Sequence, residues 1–194
     1  MKEAVMKNTN SEMTRPRRVL TINRMLSTAL LMLATALPLR AGNDNRAPEV
    51  PAAIQVPGGT NKVHFHAYAE GVQIYAWSGT SWVFRAPEAV LYDADGDIVG
   101  IHYAGPTWES ESGSKVVGAR VASAPSASAN SIPQLLLKAI SAEGPGIFAP
   151  TTYVQRVNTH GGLAPAASGT TIGQEVRVAY TAEYFFYRES HGER

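Results

Sequence analysis

Beyond residue 60, apolar and polar positions alternate with a period of two, the mark of strands that bury one face. Val63, Phe65 and Ala67 alternate with His64, His66 and Tyr68; Gly71 reads as a turn, after which residues 72–77 resume the pattern. Residues 81–85, 89–92 and 98–103 continue it, and Asp93-Ala94-Asp95-Gly96-Asp97 between the last two reads as a hairpin turn. Further strands are expected over residues 115–121, 134–141 and 152–158. For residues 134–141 the period alone does not separate strand from buried helix; Pro133 before and Gly144-Pro145-Gly146 after favour a strand. The longest run sets Val176, Val178, Tyr180, Ala182, Tyr184 and Phe186 on one face. About nine short strands with no long amphipathic helix predict an all-β domain, an antiparallel β-sandwich or barrel with little helix.

Residues 1–41 read differently. Lys2, Lys7, Arg15, Arg17, Arg18 and Arg24 precede an uncharged apolar stretch at 25–37, Pro38 breaks it, and Ala41 offers a small residue for cleavage. A bilayer core takes about 20 apolar residues, so the stretch fits a cleaved export leader better than a transmembrane anchor. Residues 42–57 are polar and proline-rich and read as a linker, 58–190 as one β-rich domain and 191–194 as a polar tail. The expected location is therefore outside the cytoplasm, periplasmic or extracellular, with no anchor left after cleavage.

Removing the leader changes the charge. It holds seven of the 17 basic and two of the 16 acidic residues, leaving ten and fourteen and a net charge of −4. A net-negative domain without a basic cluster is a poor partner for phosphate backbones, so nucleic acid is not an expected partner. The chain has no cysteine. That excludes disulfides, thiol nucleophiles, cysteine-ligated zinc and iron–sulfur centres, while about 150 residues suffice to hold a domain by packing.

Three groups of residues are candidates for chemistry. His64 and His66 form His-x-His on one strand, and with His102 from the nearby hairpin they are a candidate zinc or copper set; Glu109 and His160 are poorer third ligands. The alternative is a polar strand face whose imidazoles bond to neighbours. The aspartates of 93–97 lack the glycine and glutamate positions of a calcium loop and read as a turn bonding its own backbone. His102, Tyr103, Trp108 and Glu109 combine an imidazole, two large aromatics and a carboxylate around Gly105-Pro106. A partly exposed Trp108 lining a concavity with Tyr103 would suit a sugar ring or other flat ligand; the alternative is a stiff loop whose aromatics pack under a barrel end. No nucleophile elbow, zinc-protease helix, phosphate loop or dinucleotide fingerprint is present.

Several strings, in order, resemble a secreted bacterial and fungal family, domain of unknown function 3455. They are residues 62–75 (KVHFHAYAEGVQIY), 82–89 (WVFRAPEA), 91–96 (LYDADG), 102–109 (HYAGPTWE) and 153–159 (YVQRVNT). The resemblance implies export and an all-β fold and supplies no activity. It also implies cysteines near Ala76 and near residues 167–170, which this chain replaces, so packing must do the work of any family disulfide. Some fungal relatives carry a malate dehydrogenase label, but no glycine-rich strand–turn–helix supports hydride transfer here. The expected function is a non-catalytic binding module for a glycan or other cell-envelope or surface ligand, with no cofactor. The alternative is a metal-dependent extracytoplasmic enzyme using zinc or copper on His64, His66 and His102.

Overall fold

In the computed structural model, which describes residues 45–190, the alternating runs form a single antiparallel sheet that closes into an eight-stranded barrel. Its strands are β1 (Asn61–Trp77), β2 (Trp82–Tyr92), β3 (Ile98–Tyr103), β4 (Thr107–Ser110), β5 (Lys115–Ala124), β6 (Gln134–Glu143), β7 (Tyr153–Gly161) and β8 (Glu175–Glu189). Each strand pairs with the next, and β8 closes on β1 from Asn61↔Glu189 to Ala76↔Glu175. The expected leader and C-terminal tail lie outside the described residues.

Two expected breaks are continuous strand. β1 runs straight through Gly71, where an added Cβ would stand 2.1 Å from the Glu88 carbonyl oxygen and 2.6 Å from Ala89 Cβ. Glycine there permits close approach of β1 and β2 and makes no turn. β2 likewise contains Pro87; because β3 pairs with β2 only from Ala89 to Tyr92, the Pro87 segment is an edge, where proline is tolerated. Conversely, β4 occupies what reads as a stiff loop, and Gly105 at φ 109° turns β3 into it. The Asp93 turn forms as expected, with Asp93 Oδ1 accepting from the backbone N–H of Asp95 and of Asp97, both at 3.0 Å.

The barrel interior is an aromatic core. Phe65, Trp108, Phe148, Tyr184 and Phe186 are each at most 7 % exposed, with Ala67, Ala69, Leu91, Val116, Leu137 and Val154 between them. Phe148, from the β6–β7 loop, closes one end by packing against Phe186 (4.7 Å between centroids) and Phe65 (6.0 Å). A bulge at His64 in β1 puts Val63 outside and Phe65 inside, although two residues apart on a strand should share a face.

Outside the barrel, the expected linker is a packed strap. Its short 3-10 turn Ala52–Ile54 buries Ile54 completely against Val63, Ala124, Leu136, Val157, Phe185 and Tyr187. Gln155 Nε2 donates to the Ile54 carbonyl at 2.6 Å, and the Tyr187 hydroxyl donates to Gln155 Oε1. Apolar side chains on the outward positions of β5 to β8 supply a second, smaller core, which explains why this proline-rich segment docks.

The end opposite Phe148 is the open mouth. There β3 and β4 stop at Tyr103 and Thr107, while β2 reaches back to Trp82 and β5 continues to Ala124, so the wall is lower on that side. The β7–β8 loop lies along the mouth, held by Trp82 Nε1 donating to the Ala167 carbonyl at 2.9 Å and by Trp77 against Gly169. Tryptophan packing stands where the resemblance places cysteine.

Candidate functional site

The mouth leads into a cavity of about 370 Å³, at the small end of the roughly 300–1,000 Å³ typical of small-molecule sites. Inward-facing alternation on the strands delivers its lining. His102 from β3 and Trp108 from β4 are register partners, and with Tyr184 of β8 they make an aromatic floor. Leu135 and Leu137 of β6 add apolar wall, and Ile132, Pro133, Gly105 and Pro106 come from the mouth loops. Gln73 of β1 and Arg156 of β7 are the polar side chains set into that wall.

His102 is neutral. Its Nδ1 lies 2.8 Å from the Thr107 carbonyl and donates to it, which leaves Nε2 as an acceptor. Burial pushes its pKa down to about 3, against the Thr107 hydrogen bond and with help from the Arg156 charge. Burial also raises the pKa of Tyr180 and of Tyr184, whose hydroxyls lie 3.4 Å apart, while the Arg156 charge pulls both back, helped by polar contact of Gln73 with Tyr180 and of Arg156 with Tyr184.

Donors in this wall outnumber the partners they have. Gln73 Nε2, Trp108 Nε1 and Arg156 Nε are the buried side-chain polar atoms without a hydrogen-bond partner among the described residues, and all three residues line the one cavity. Trp108 is 1 % exposed, Gln73 3 % and Arg156 8 %. Indole and guanidinium nitrogens only donate, so no exchange of donor and acceptor roles relieves them. Each such group costs on the order of 1–3 kcal/mol when left unpaired. Arg156 Nη2 does donate to the Pro133 carbonyl at 2.8 Å, but among the described residues no carboxylate pairs with this guanidinium.

The charge around the cavity is one-sided. Of nine lysines and arginines in residues 45–190, Arg85, Arg120 and Arg156 line it; of twelve aspartates and glutamates in the same span, none does. Arg85 and Arg120 are exposed on the free edges of β2 and β5 flanking the low wall.

The barrel wall divides the constellation expected at 102–109. His102 and Trp108 face inward, whereas Tyr103 and Glu109 face outward, where the Tyr103 hydroxyl donates to Glu109 Oε2 at 2.6 Å and that bond raises the Tyr103 pKa. Trp108 is therefore not the partly exposed ring that was expected, and Tyr103 does not line the cavity with it. The reason is the pleat: residues one apart on a strand occupy opposite faces.

His64, His66 and His102 are separated in the same way. His66 Nε2 bonds to Glu183 Oε2 at 2.9 Å and its ring stacks on Phe185 at 3.9 Å, both on the outer face, while His102 is inside. The His66 hydrogen bond holds the Glu183 carboxyl below its ordinary range. His64, at the bulge, bonds to Thr151 Oγ1 at 3.3 Å; burial, with Arg188 nearby, lowers it to about 4. His160 bonds to Ser128 Oγ at 3.1 Å. Among the described residues no three histidines, aspartates or glutamates come together in a group able to hold a metal ion.

Sequence reading missed Gln73, Arg85, Arg120 and Arg156. Alternation alone did not flag Arg156: within residues 153–158 it shares a face with Val154, but Tyr153 and Val157 lie on the opposite face, so the pattern does not say which of the two is inward. Once the inward face is known, a charge on it marks a candidate functional group, because burying it unpaired is costly.

Neither a curated protein nor a solved structure matches the chain. A family model described as protein of unknown function (DUF3455) matches residues 57–188, which spans β1 to β8 and every cavity-lining residue named above, and the chain belongs to that family.

Proposed function

We propose that this barrel is a non-catalytic binding module that takes a small ligand into its mouth. The observation that carries the reading is that three buried, unpartnered donors belong to residues lining one largely apolar cavity. Stable domains rarely leave such groups unpaired, and donors on a ligand-sized cavity are placed to take their acceptor from a bound molecule. Catalysis is not favoured: the lining has one neutral imidazole and two tyrosines, Tyr75 and Tyr184, whose pKa values burial raises, but no carboxylate, lysine, serine or threonine as acid, base or nucleophile. A glycan stacked on exposed rings is also less well supported than an enclosed ligand, since Trp108 lies at the floor and Tyr103 on the outer wall. On the strength of the leader, the module acts outside the cytoplasm.

The test uses N-phenyl-1-naphthylamine, an uncharged dye whose emission rises in apolar sites. The protein is expected to bind it with one-to-one stoichiometry. Leu135→Trp, at a half-buried position on the cavity wall, is expected to abolish binding with unchanged circular dichroism. Undiminished binding by a folded Leu135→Trp protein, or none by the wild type, overturns the reading.

A further inference from the structure

Resting on the reading of the mouth as a binding site, we infer that its ligand is a small monocarboxylic acid. Its carboxylate is held by Arg156, Trp108 and Gln73, and its apolar body lies along Leu135, Leu137 and the aromatic floor. The donor set selects the head group. Arg156 Nε, Trp108 Nε1 and Gln73 Nε2 are N–H donors lacking acceptors, and a carboxylate brings two oxygens with about four lone-pair sites. A guanidinium matches that geometry in plane, and its bonds to an ionised acceptor are about twice as strong as neutral ones.

Charge selects the number of carboxylates. Arg156 is the one buried cation in the lining, and no acid lines the cavity. One carboxylate neutralises it; a phosphate dianion would leave a surplus negative charge in the apolar wall, at a cost typical of unpaired buried ions. The exposed Arg85 and Arg120 stand at the entrance. In a domain of net negative charge they create a local positive field that draws an anion to the mouth and does not bind it at the floor. A cavity of about 370 Å³, at the small end of small-molecule sites, limits the body to a medium aliphatic chain or a few compact aromatic rings.

The experiment is isothermal titration at low ionic strength with hexanoate, octanoate and 3-phenylpropanoate, each beside its primary amide, and with inorganic phosphate. At least one acid is expected to bind tenfold or more tightly than its amide. Arg156→Gln is expected to abolish that preference, weakening acid binding tenfold or more and amide binding by less. Arg85→Gln with Arg120→Gln, at exposed positions, is expected to weaken acid binding several-fold and to reduce its salt dependence. Without ligand, Arg156→Met is expected to match or exceed the wild-type Tm, as relief of a buried unpaired charge requires; a large drop would mark Arg156 as structural and overturn the inference. Equal binding of acids and amides, or tighter binding of phosphate, also overturns it and leaves the binding module standing. If no acid binds while the naphthylamine dye does, the carboxylate inference alone falls; if neither binds, both readings fall.

Discussion

His102 lies flat on Trp108, with ring centroids 4.6 Å apart and planes 12° from parallel. The contact spans the β3–β4 register pair and joins a titratable ring to the largest side chain of the core. Tyr184 packs against both rings, at 5.1 and 5.4 Å, so that anything disturbing the imidazole disturbs the floor of the cavity.

Stability is therefore expected to depend on pH through His102. Its folded pKa, about 3, is below the ordinary 6.5 because burial disfavours the imidazolium. The unfolded chain takes up the proton first, so the stabilisation is fully present above about pH 6.5 and is lost as pH falls towards 3. One such proton corresponds to about 1.4 kcal/mol per pH unit. His64, lowered to about 4, acts in the same direction more weakly because it is only half-buried. The depressed Glu183 also costs stability on acidification, but below its ordinary value of 4.5. Urea midpoints from pH 8 to pH 5 thus isolate the histidines. His102→Gln, which can still donate to the Thr107 carbonyl, is expected to flatten the slope, and an unchanged slope would contradict the assignment.

Trp108 should behave optically as a core residue. At 1 % exposure, in edge contact with Tyr184 and Phe186, it is shielded from bulk water, and small solutes reach it only by way of the cavity. A Trp77→Phe, Trp82→Phe protein retains it as the only tryptophan; its emission is expected to be blue-shifted and only weakly quenched by acrylamide. Trp108→Ala is expected to destabilise by about 3–5 kcal/mol in chemical denaturation. Ready quenching in the folded single-tryptophan protein would show that the floor is open to solvent.

Sequence alternation identified strand material and its inward face, because burial of one face is a local period: Tyr180, Ala182, Tyr184 and Phe186 are inside as read. It did not choose between sandwich and barrel, since both bury one face, and the choice rests on the pairing of β1 with β8 more than a hundred residues away. Gly71 and Pro87 misled because propensity treats both residues as breaks, whereas close strand approach uses one and an unpaired edge tolerates the other. The candidate site was half legible. His102 and Trp108 line the cavity, but grouping them with Tyr103 and Glu109 followed proximity in the chain, which the pleat contradicts. Arg156 became visible as a site residue only when its lack of an acidic neighbour was known.

The strap is expected to be a structural part of the domain, and Ile54 is the residue that shows it. A flexible linker tolerates Ile→Ala at no cost, because its side chain is equally hydrated in both states. Ile54 is instead fully buried, and its carbonyl accepts from Gln155, itself 1 % exposed and bonded to Tyr187. Ile54→Ala should therefore lower stability by about 2–5 kcal/mol, as deletion of a buried aliphatic side chain does. Gln155→Leu should also destabilise, by leaving the Ile54 carbonyl and the Tyr187 hydroxyl without their partner. The two losses should add to less than their sum, since both loosen the same contact. Urea denaturation of the two single variants and the double variant measures this directly. A wild-type midpoint for Ile54→Ala would mean that residues 45–57 are not docked on the barrel in solution.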